Sequence, residues 1–301
     1  MNDQKSTAAT NLKSEFTDAA AAIAREAGAL LREYYHRGVS AEYKGDVDIV
    51  TEADRASEKL ITSRLREAFP SHGIFGEEGT RQHLDSEYRW YIDPLDGTTN
   101  FAHGFPYFCV SMGLEHRPAG TPEGEDGTLV AGVIYEPLRD ELFAAALGQG
   151  ATLNGRSIHV SKAQYLQESL VATGFPSKKR HENPNIHFYQ QITLRSHGVR
   201  RAGAAAVDLA YTACGRLEGF WEFSLNPWDT AAGALLVTEA GGRITRFDGS
   251  PFKLDSKEVL ASNGTIALEL EHIFAEMFAG RGLEEVPTPA EFRRLREERA
   301  T

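Results

Sequence analysis

Apolar residues recur at Phe16, Ala20, Ile23, Ala27, Leu30, Leu31 and Tyr34, the spacing of one helical face, and Gly38 supplies a stop. A second stripe of Ala56, Leu60, Ile61, Leu65 and Ala68 predicts a helix over about Glu52–Phe69, ended by Pro70. The pattern then shortens to strand-like runs at Trp90–Ile92, Phe108–Glu115, Leu129–Tyr135 and Glu141–Ala146, followed by a hairpin turning at Asn154-Gly155. Between the second and third runs, Arg117–Gly127 is rich in Pro, Gly, Glu and Asp and reads as an exposed loop. From Leu170 onwards strands and helices alternate. Strands are expected at Leu170–Thr173, Phe220–Phe223, Arg243–Phe247 and Val259–Ala261. Helices are expected at Pro184–Ser196, Ala204–Cys214, Asp229–Ala240 and about Ile266–Phe278, with Gly215 and Gly241-Gly242 as stops. Two helices, a mainly antiparallel sheet and then alternating elements imply an α/β (α+β) fold built as a layered sandwich of sheets and helices.

The 301 residues are 41% hydrophobic and 25% charged, the balance of a folded globular chain and too apolar for intrinsic disorder. A chain of this length needs no disulfide or structural metal merely to fold. Cys109 and Cys214 lie far apart in apolar stretches and read as buried, reduced thiols. The 32 basic against 43 acidic side chains give a net charge of −11, which argues against a nucleic-acid partner. Met1–Ser14 is polar, and no window approaches 18 uninterrupted apolar residues. The expectation is a cytoplasmic protein with no membrane partner.

The chemistry concentrates in Asp93-Pro94-Leu95-Asp96-Gly97-Thr98-Thr99-Asn100-Phe101, directly after an expected strand. Two carboxylates three residues apart, with Pro and Gly shaping the turn, can aim oxygens and an intervening carbonyl at one point, as Mg²⁺ requires. A bare turn at a strand end would use the same residue types. Gly76-Glu77-Glu78-Gly79 offers more carboxylate, or a solvated loop. Asp54, three residues after Thr51, could be a third-position helix-capping residue. Asp229 could likewise be the N-cap of the helix that it opens.

Taken together, these segments resemble the lithium-sensitive, Mg²⁺-dependent inositol monophosphatase family of sugar phosphatases. The resemblance runs from about Phe16 to Phe278. It rests on Gly-Glu-Glu, then Trp90–Phe101, then Trp228-Asp229-Thr230-Ala231-Ala232-Gly233 running on to Gly242. It implies an αβαβα-layered sandwich, normally a homodimer, hydrolysing a small phosphorylated polyol or sugar with two to three Mg²⁺ ions per active site. Residues 1–13 are then expected to be a disordered N-terminus and 14–280 a single catalytic domain. That domain divides into an α+β half (about 14–165) and an α/β half (about 166–280), followed by a helical tail at 281–301.

By the same resemblance, Glu77, Asp93, the Leu95 carbonyl, Asp96 and Asp229 are metal ligands, with Asp93 bridging two ions. Glu77 and Thr98 activate the attacking water, and Asp54 accepts a hydrogen bond from Thr98. Leu95, Asp96, Gly97 and Thr98 hold the phosphate. Gly203, Ala204, Ala205, Glu222 and Asp229 meet the alcohol portion of the substrate. From the residues alone, Gly203–Ala205 could be a plain helix start and Glu222 an outward strand residue. Lys44 lies in a loop shorter than the family's and is left outside the site.

Thr99-Asn100-Phe101 after Thr98 resembles the inositol monophosphatase branch and implies inositol 1-phosphate as substrate. Sister phosphatases of the same fold act on fructose 1,6-bisphosphate, 3′-phosphoadenosine 5′-phosphate or histidinol phosphate. A regulatory, protein-binding member is the alternative of another class. Three departures bear on specificity and assembly: Arg201-Ala202 ahead of Gly203, the polar segment Ser177–His187, and the tail.

Overall fold

The computed structural model describes residues 2–38, 41–43, 49–121, 125–175 and 183–299. Helix α1 (Asn2–Arg37) is followed by β1 (Ala41–Tyr43) and β2 (Ile49–Thr51), which pair antiparallel, and by α2 (Glu52–Ala68). Next come β3 (Gly73–Gly76), β4 (Arg81–Gln82), β5 (Tyr88–Asp96), the short α3 (Thr98–Ala102), β6 (Cys109–His116) and β7 (Thr128–Glu136). The run ends with β8 (Glu141–Ala146), β9 (Ala151–Leu153) and β10 (Arg156–Ile158). These strands form an eight-stranded sheet in the order β10-β9-β8-β7-β6-β5-β3-β4, antiparallel except for the β3–β5 pair.

The second half contains β11 (Leu170–Thr173), α4 (Asn185–Arg195), β12 (Gly198–Arg200), α5 (Ala205–Ala213), β13 (Gly219–Phe223) and α6 (Pro227–Glu239). It continues through β14 (Arg243–Thr245), β15 (Glu258–Ser262), α7 (Ala267–Phe278) and α8 (Pro289–Arg299). Its sheet has the order β12-β11-β13-β15-β14.

Three apolar cores stack these elements into layers. The expected stripe of α1 packs with Ile61 and Leu65 of α2 on Trp90, Ile92, Met112 and Val133 of the large sheet. The opposite face of that sheet, through Cys109, Ile134 and Phe143, meets Leu209 and Ala210 of α5 and Leu235 and Leu236 of α6. Those helices also cover Ala172, Phe220 and Ala261 of the small sheet. Beyond it, Val171, Trp221 and Leu260 pack on Phe188 of α4 and Phe274 of α7. The result is the αβαβα order that the resemblance implies.

Helix α6 sits unusually close to the large sheet. Gly113 and Gly132 face each other across β6 and β7. A Cβ on Gly113 would stand 2.6 Å from the Ala231 Cβ, and one on Gly132 would stand 2.8 Å from the Ala232 carbonyl oxygen. Two bare positions thus form a bed for the small residues of α6, which carries Asp229 at its start.

Several expectations change. Helix α1 runs from Asn2, within the 1–13 stretch expected to be without structure. Extending a helix whose nucleus is docked adds a hydrogen bond for each residue fixed, so an alanine-containing polar segment can follow without an apolar stripe of its own. Strand β5 continues past Ile92 through Asp93 to Asp96, so the acidic motif lies on the strand rather than after it. Helix α6 begins at Pro227 with Asn226 as its N-cap, which makes Asp229 the third helical residue and not the cap. Residues Lys44–Asp46 of the short loop and most of the Ser177–His187 segment lie outside the described residues. The tail is held at its root, where Gln191 of α4 donates to the Glu284 carbonyl at 2.9 Å. Beyond it the described side chains of α8 are exposed. No described helix is long and apolar enough to cross a membrane.

Candidate active site

Strands β3 and β5 run parallel with Gly76 opposite Ile92, and the Glu77 amide donates to the Ile92 carbonyl at 3.0 Å. That register sets Glu77 beside Asp93 at the ends of both strands. In a regular strand, residues three apart face opposite sides. Here the pairing of β5 with β6 breaks register between Asp93 and Asp96, and the Asp93 carboxylate turns back to accept the Leu95 amide at 3.0 Å. The break lets Asp93 and Asp96 act on each other and on Asp229 across the gap to α6. Asp229 is steadied by the Asn226 amide, which donates to its Oδ2 at 2.7 Å. Asp96 is steadied by α5, whose Ala206 amide donates to its Oδ2 at 2.7 Å. Amides of a helix's first turn favour a negative partner.

Burial is the main cause that pushes the Asp93 carboxyl well above its ordinary value, followed by Glu77, Asp96 and Asp229. Burial, then Asp229, pushes Asp96 up to about 7. Burial pushes Asp229 up to about 6, against the hydrogen bonds from Asn226. Asp93 also interacts through its side chain with Glu77 and Asp229. Among the described residues, no three acidic, histidine or cysteine side chains stand as a ready-made metal cage. The donor set nevertheless fits a hard divalent cation. It is all oxygen, crowded and partly desolvated, and a dication would neutralise the mutual repulsion of its carboxylates.

Asp54 is fully buried, and its two oxygens do different work. Oδ2 accepts the Thr51 amide at 2.8 Å and the Thr51 hydroxyl at 2.5 Å, completing a capping box at the start of α2. Oδ1 lies 2.9 Å from the Thr98 hydroxyl, which is also 3.1 Å from the Leu95 carbonyl. The cap of α2 and the contact with Thr98 therefore use separate oxygens of Asp54 and coexist. Gly97 bends the chain between Asp96 and Thr98 at φ +92°, and a Cβ there would meet the Tyr107 carbonyl at 2.9 Å. The turn requires glycine.

Gly203, Ala204 and Ala205 lead into α5, and Asn100 ties them to the acidic motif. Its Nδ2 lies 2.8 Å from both the Tyr107 and the Ala202 carbonyls. Glu222 is a buried residue of β13, not an outward one. Burial, then Asp208, Asp229 and Asp96, push its carboxyl well up, while Arg201 pulls it down. A Cβ at Gly174 would overlap the Glu222 carboxylate, so Gly174 makes its room. Neither the tie made by Asn100 nor the room made by Gly174 follows from local sequence pattern, although a glycine closing an apolar strand is a visible signal. Both cysteines are free. Cys109 lies 3.8 Å from Asp96 with its thiol pushed up by burial, which leaves it unsuited to act as a nucleophile.

An oxygen-rich acidic cluster at the strand ends of an αβαβα sandwich defines a metal-dependent phosphatase of the sugar-phosphatase type. The sequence pattern of the Inositol monophosphatase family matches residues 12–278. The chain is 43% identical over 259 residues to inositol monophosphatase 2 of Solanum lycopersicum, spanning 83% of this chain and 94% of that one. It is also 43% identical over 248 residues to the Nus factor SuhB of Pseudomonas aeruginosa, spanning 80% and 88%. The solved structure of an inositol monophosphatase from Anabaena (Nostoc) superposes with a TM-score of 0.78 at 43% identity, covering 88% of this chain and 96% of that one. The chain belongs to the inositol monophosphatase family and is a Mg²⁺-dependent phosphatase.

Proposed function

We propose that the protein hydrolyses inositol 1-phosphate to myo-inositol and phosphate. The observation that carries this reading is the meeting of the Glu77–Asp93–Asp96–Asp229 cluster with the Asp54–Thr98 hydrogen bond on one side and the buried Glu222 on the other. Glu77, Asp93, the Leu95 carbonyl, Asp96 and Asp229 hold Mg²⁺. When bound, Mg²⁺ offsets the phosphate dianion and acidifies water.

Asp54 accepts the Thr98 hydroxyl proton in a hydrogen bond, which turns the Thr98 oxygen lone pairs towards the attacking water. Glu77 accepts a proton from that water as it adds to phosphorus. The chain from Leu95 to Thr98, bent by Gly97, cradles the phosphate. Asp229 stands at the alcohol oxygen, whose bond to phosphorus breaks as the water oxygen adds and which takes up a proton from solvent water as it leaves. Glu222 accepts hydrogen bonds from ring hydroxyls, while Gly203, Ala204 and Ala205 offer a close, side-chain-poor surface to the ring.

Arg201 favours a second reading. Its guanidinium lies 5.6 Å from the Phe175 ring and acts electrostatically on Glu222, so a second anionic group on the substrate would meet a cation there. Fructose 1,6-bisphosphate and 3′-phosphoadenosine 5′-phosphate both carry such a second phosphate. The test is phosphate release with Mg²⁺ from inositol 1-phosphate, fructose 1,6-bisphosphate, 3′-phosphoadenosine 5′-phosphate and histidinol phosphate. Inositol 1-phosphate is expected to give the highest kcat/KM, with LiCl inhibiting beyond matched NaCl and KCl. A preference for either doubly phosphorylated substrate that is lost in Arg201→Ala would transfer the assignment to it.

A further inference from the structure

We propose that Glu58, one helical turn beyond Asp54 on α2, is a positioning residue that sets the loop carrying Glu77 against the segment carrying Thr98. The proposal rests on the reading above, in which Glu77 and Thr98 act on the same water. Glu58 is 5% exposed, and both its oxygens are spent on one loop. Oε2 accepts the Glu78 amide at 2.7 Å; Oε1 accepts the Thr80 amide at 3.0 Å and the Thr80 hydroxyl at 2.6 Å. A Cβ on Gly76 would overlap this carboxylate, so the residue before Glu77 has no side chain where Glu58 enters.

Asp54, Ser57 and Glu58 share one face of α2, being three and four residues apart. Asp54 bonds Thr98, the Ser57 hydroxyl donates to the Pro94 carbonyl at 2.9 Å, and Glu58 grips residues 78–80. One helix face thereby touches each segment that the large-sheet half contributes to the site. Anchoring the helix needs no carboxylate, because Ile61 and Leu65 already pack it into the core. A carboxylate accepting from two amides fixes backbone direction, and charge-assisted bonds of this kind are short and strong. The two amides flank Gly79, immediately after Glu77, so they determine where the Glu77 side chain points. Arg81 closes the loop from the other side, donating to the Gly76 and Thr80 carbonyls while lying 3.8 Å from the Phe75 ring centroid and 5.4 Å from that of Trp228.

The test compares Glu58→Ala, Glu58→Gln and Thr80→Val. Four quantities are read: Mg²⁺ affinity by calorimetry without substrate, amide exchange at residues 78–80, melting temperature, and kcat and KM for inositol 1-phosphate. Removing a residue that orients a metal ligand weakens metal binding or turnover by about 10-fold or more. Glu58→Ala is therefore expected to lose about 10-fold in Mg²⁺ affinity and in kcat, with KM held within about twofold. Glu58→Gln and Thr80→Val, which leave the helix intact, should shift the same quantities less, in step with exchange at 78–80. Faster exchange with Mg²⁺ affinity within twofold of the parent protein would overturn the proposal, as would Glu58→Gln and Thr80→Val both matching the parent. Should the parent release no phosphate from inositol 1-phosphate, the substrate reading falls, while calorimetry and exchange still decide the role of Glu58.

Discussion

At Asp93 the difficulty of ionising comes from company as well as depth, since Glu77, Asp96 and Asp229 all press on the same carboxyl. Asp93→Asn keeps the shape and removes the charge. It should lower kcat by at least about 100-fold, roughly 2.7 kcal/mol of barrier, while leaving the metal-free melting temperature unchanged or higher. Near-normal turnover in the purified variant would remove Asp93 from the mechanism. His72 is a titratable group of a different kind. It lies between the rings of Phe69 and Tyr88, accepts the Trp90 indole N–H at 3.1 Å, and is lowered to about 4 by burial. Between pH 6.5 and about 4 the unfolded chain binds a proton that the folded one refuses, so His72 makes stability fall as pH falls through that window. With solvent screening at this half-buried site allowed for, the loss is about 1 kcal/mol. His72→Gln should flatten the melting temperature against pH by about 2 °C in that range, and an unchanged profile would show that the imidazole is not the cause. The acidic motif was legible because its spacing and glycine are peculiar. Asp54 was legible in two ways at once because a carboxylate has two oxygens, and only the fold shows each with its own partner.

Elements were legible where a periodic apolar face meets one layer, as in α1 and α2. They were not where tertiary pairing makes the strand: β3 has two apolar residues, Ile74 and Phe75, yet its register against β5 brings Glu77 to Asp93. The break within β5 was equally hidden, since it exists only relative to β6. The seat of α6 depends on the two glycines beneath it. Gly113→Val would force the helix off the sheet, with overpacking costing about 1–3 kcal/mol. Because Asp229 rides on the first turn of that helix, the same variant should lose kcat at temperatures where it is still folded. Circular dichroism beside phosphate release checks this, and full activity at a lowered melting temperature would separate the seat from the site.

At the scale of the molecule, the proposed site has two parents. Glu77, Asp93, Asp96 and Thr98 come from the large-sheet half; Asp229, Glu222 and the start of α5 come from the small-sheet half. The two signature segments are separated by more than a hundred residues, so their meeting was inferred by resemblance and not from local pattern. A slight parting of the halves, too small to cost any helix or strand, would carry the Asp229 carboxylate away from Glu77, Asp93 and Asp96. On heating, phosphate release should therefore vanish below the temperature at which far-UV ellipticity collapses, whereas coincident curves would mean that the halves melt as one cooperative unit. On the proposed reading, the shared acidic cluster makes catalysis a gauge of alignment: phosphate release is expected while the two sheets are in register across the α5–α6 layer, and is expected to stop once that seam slips.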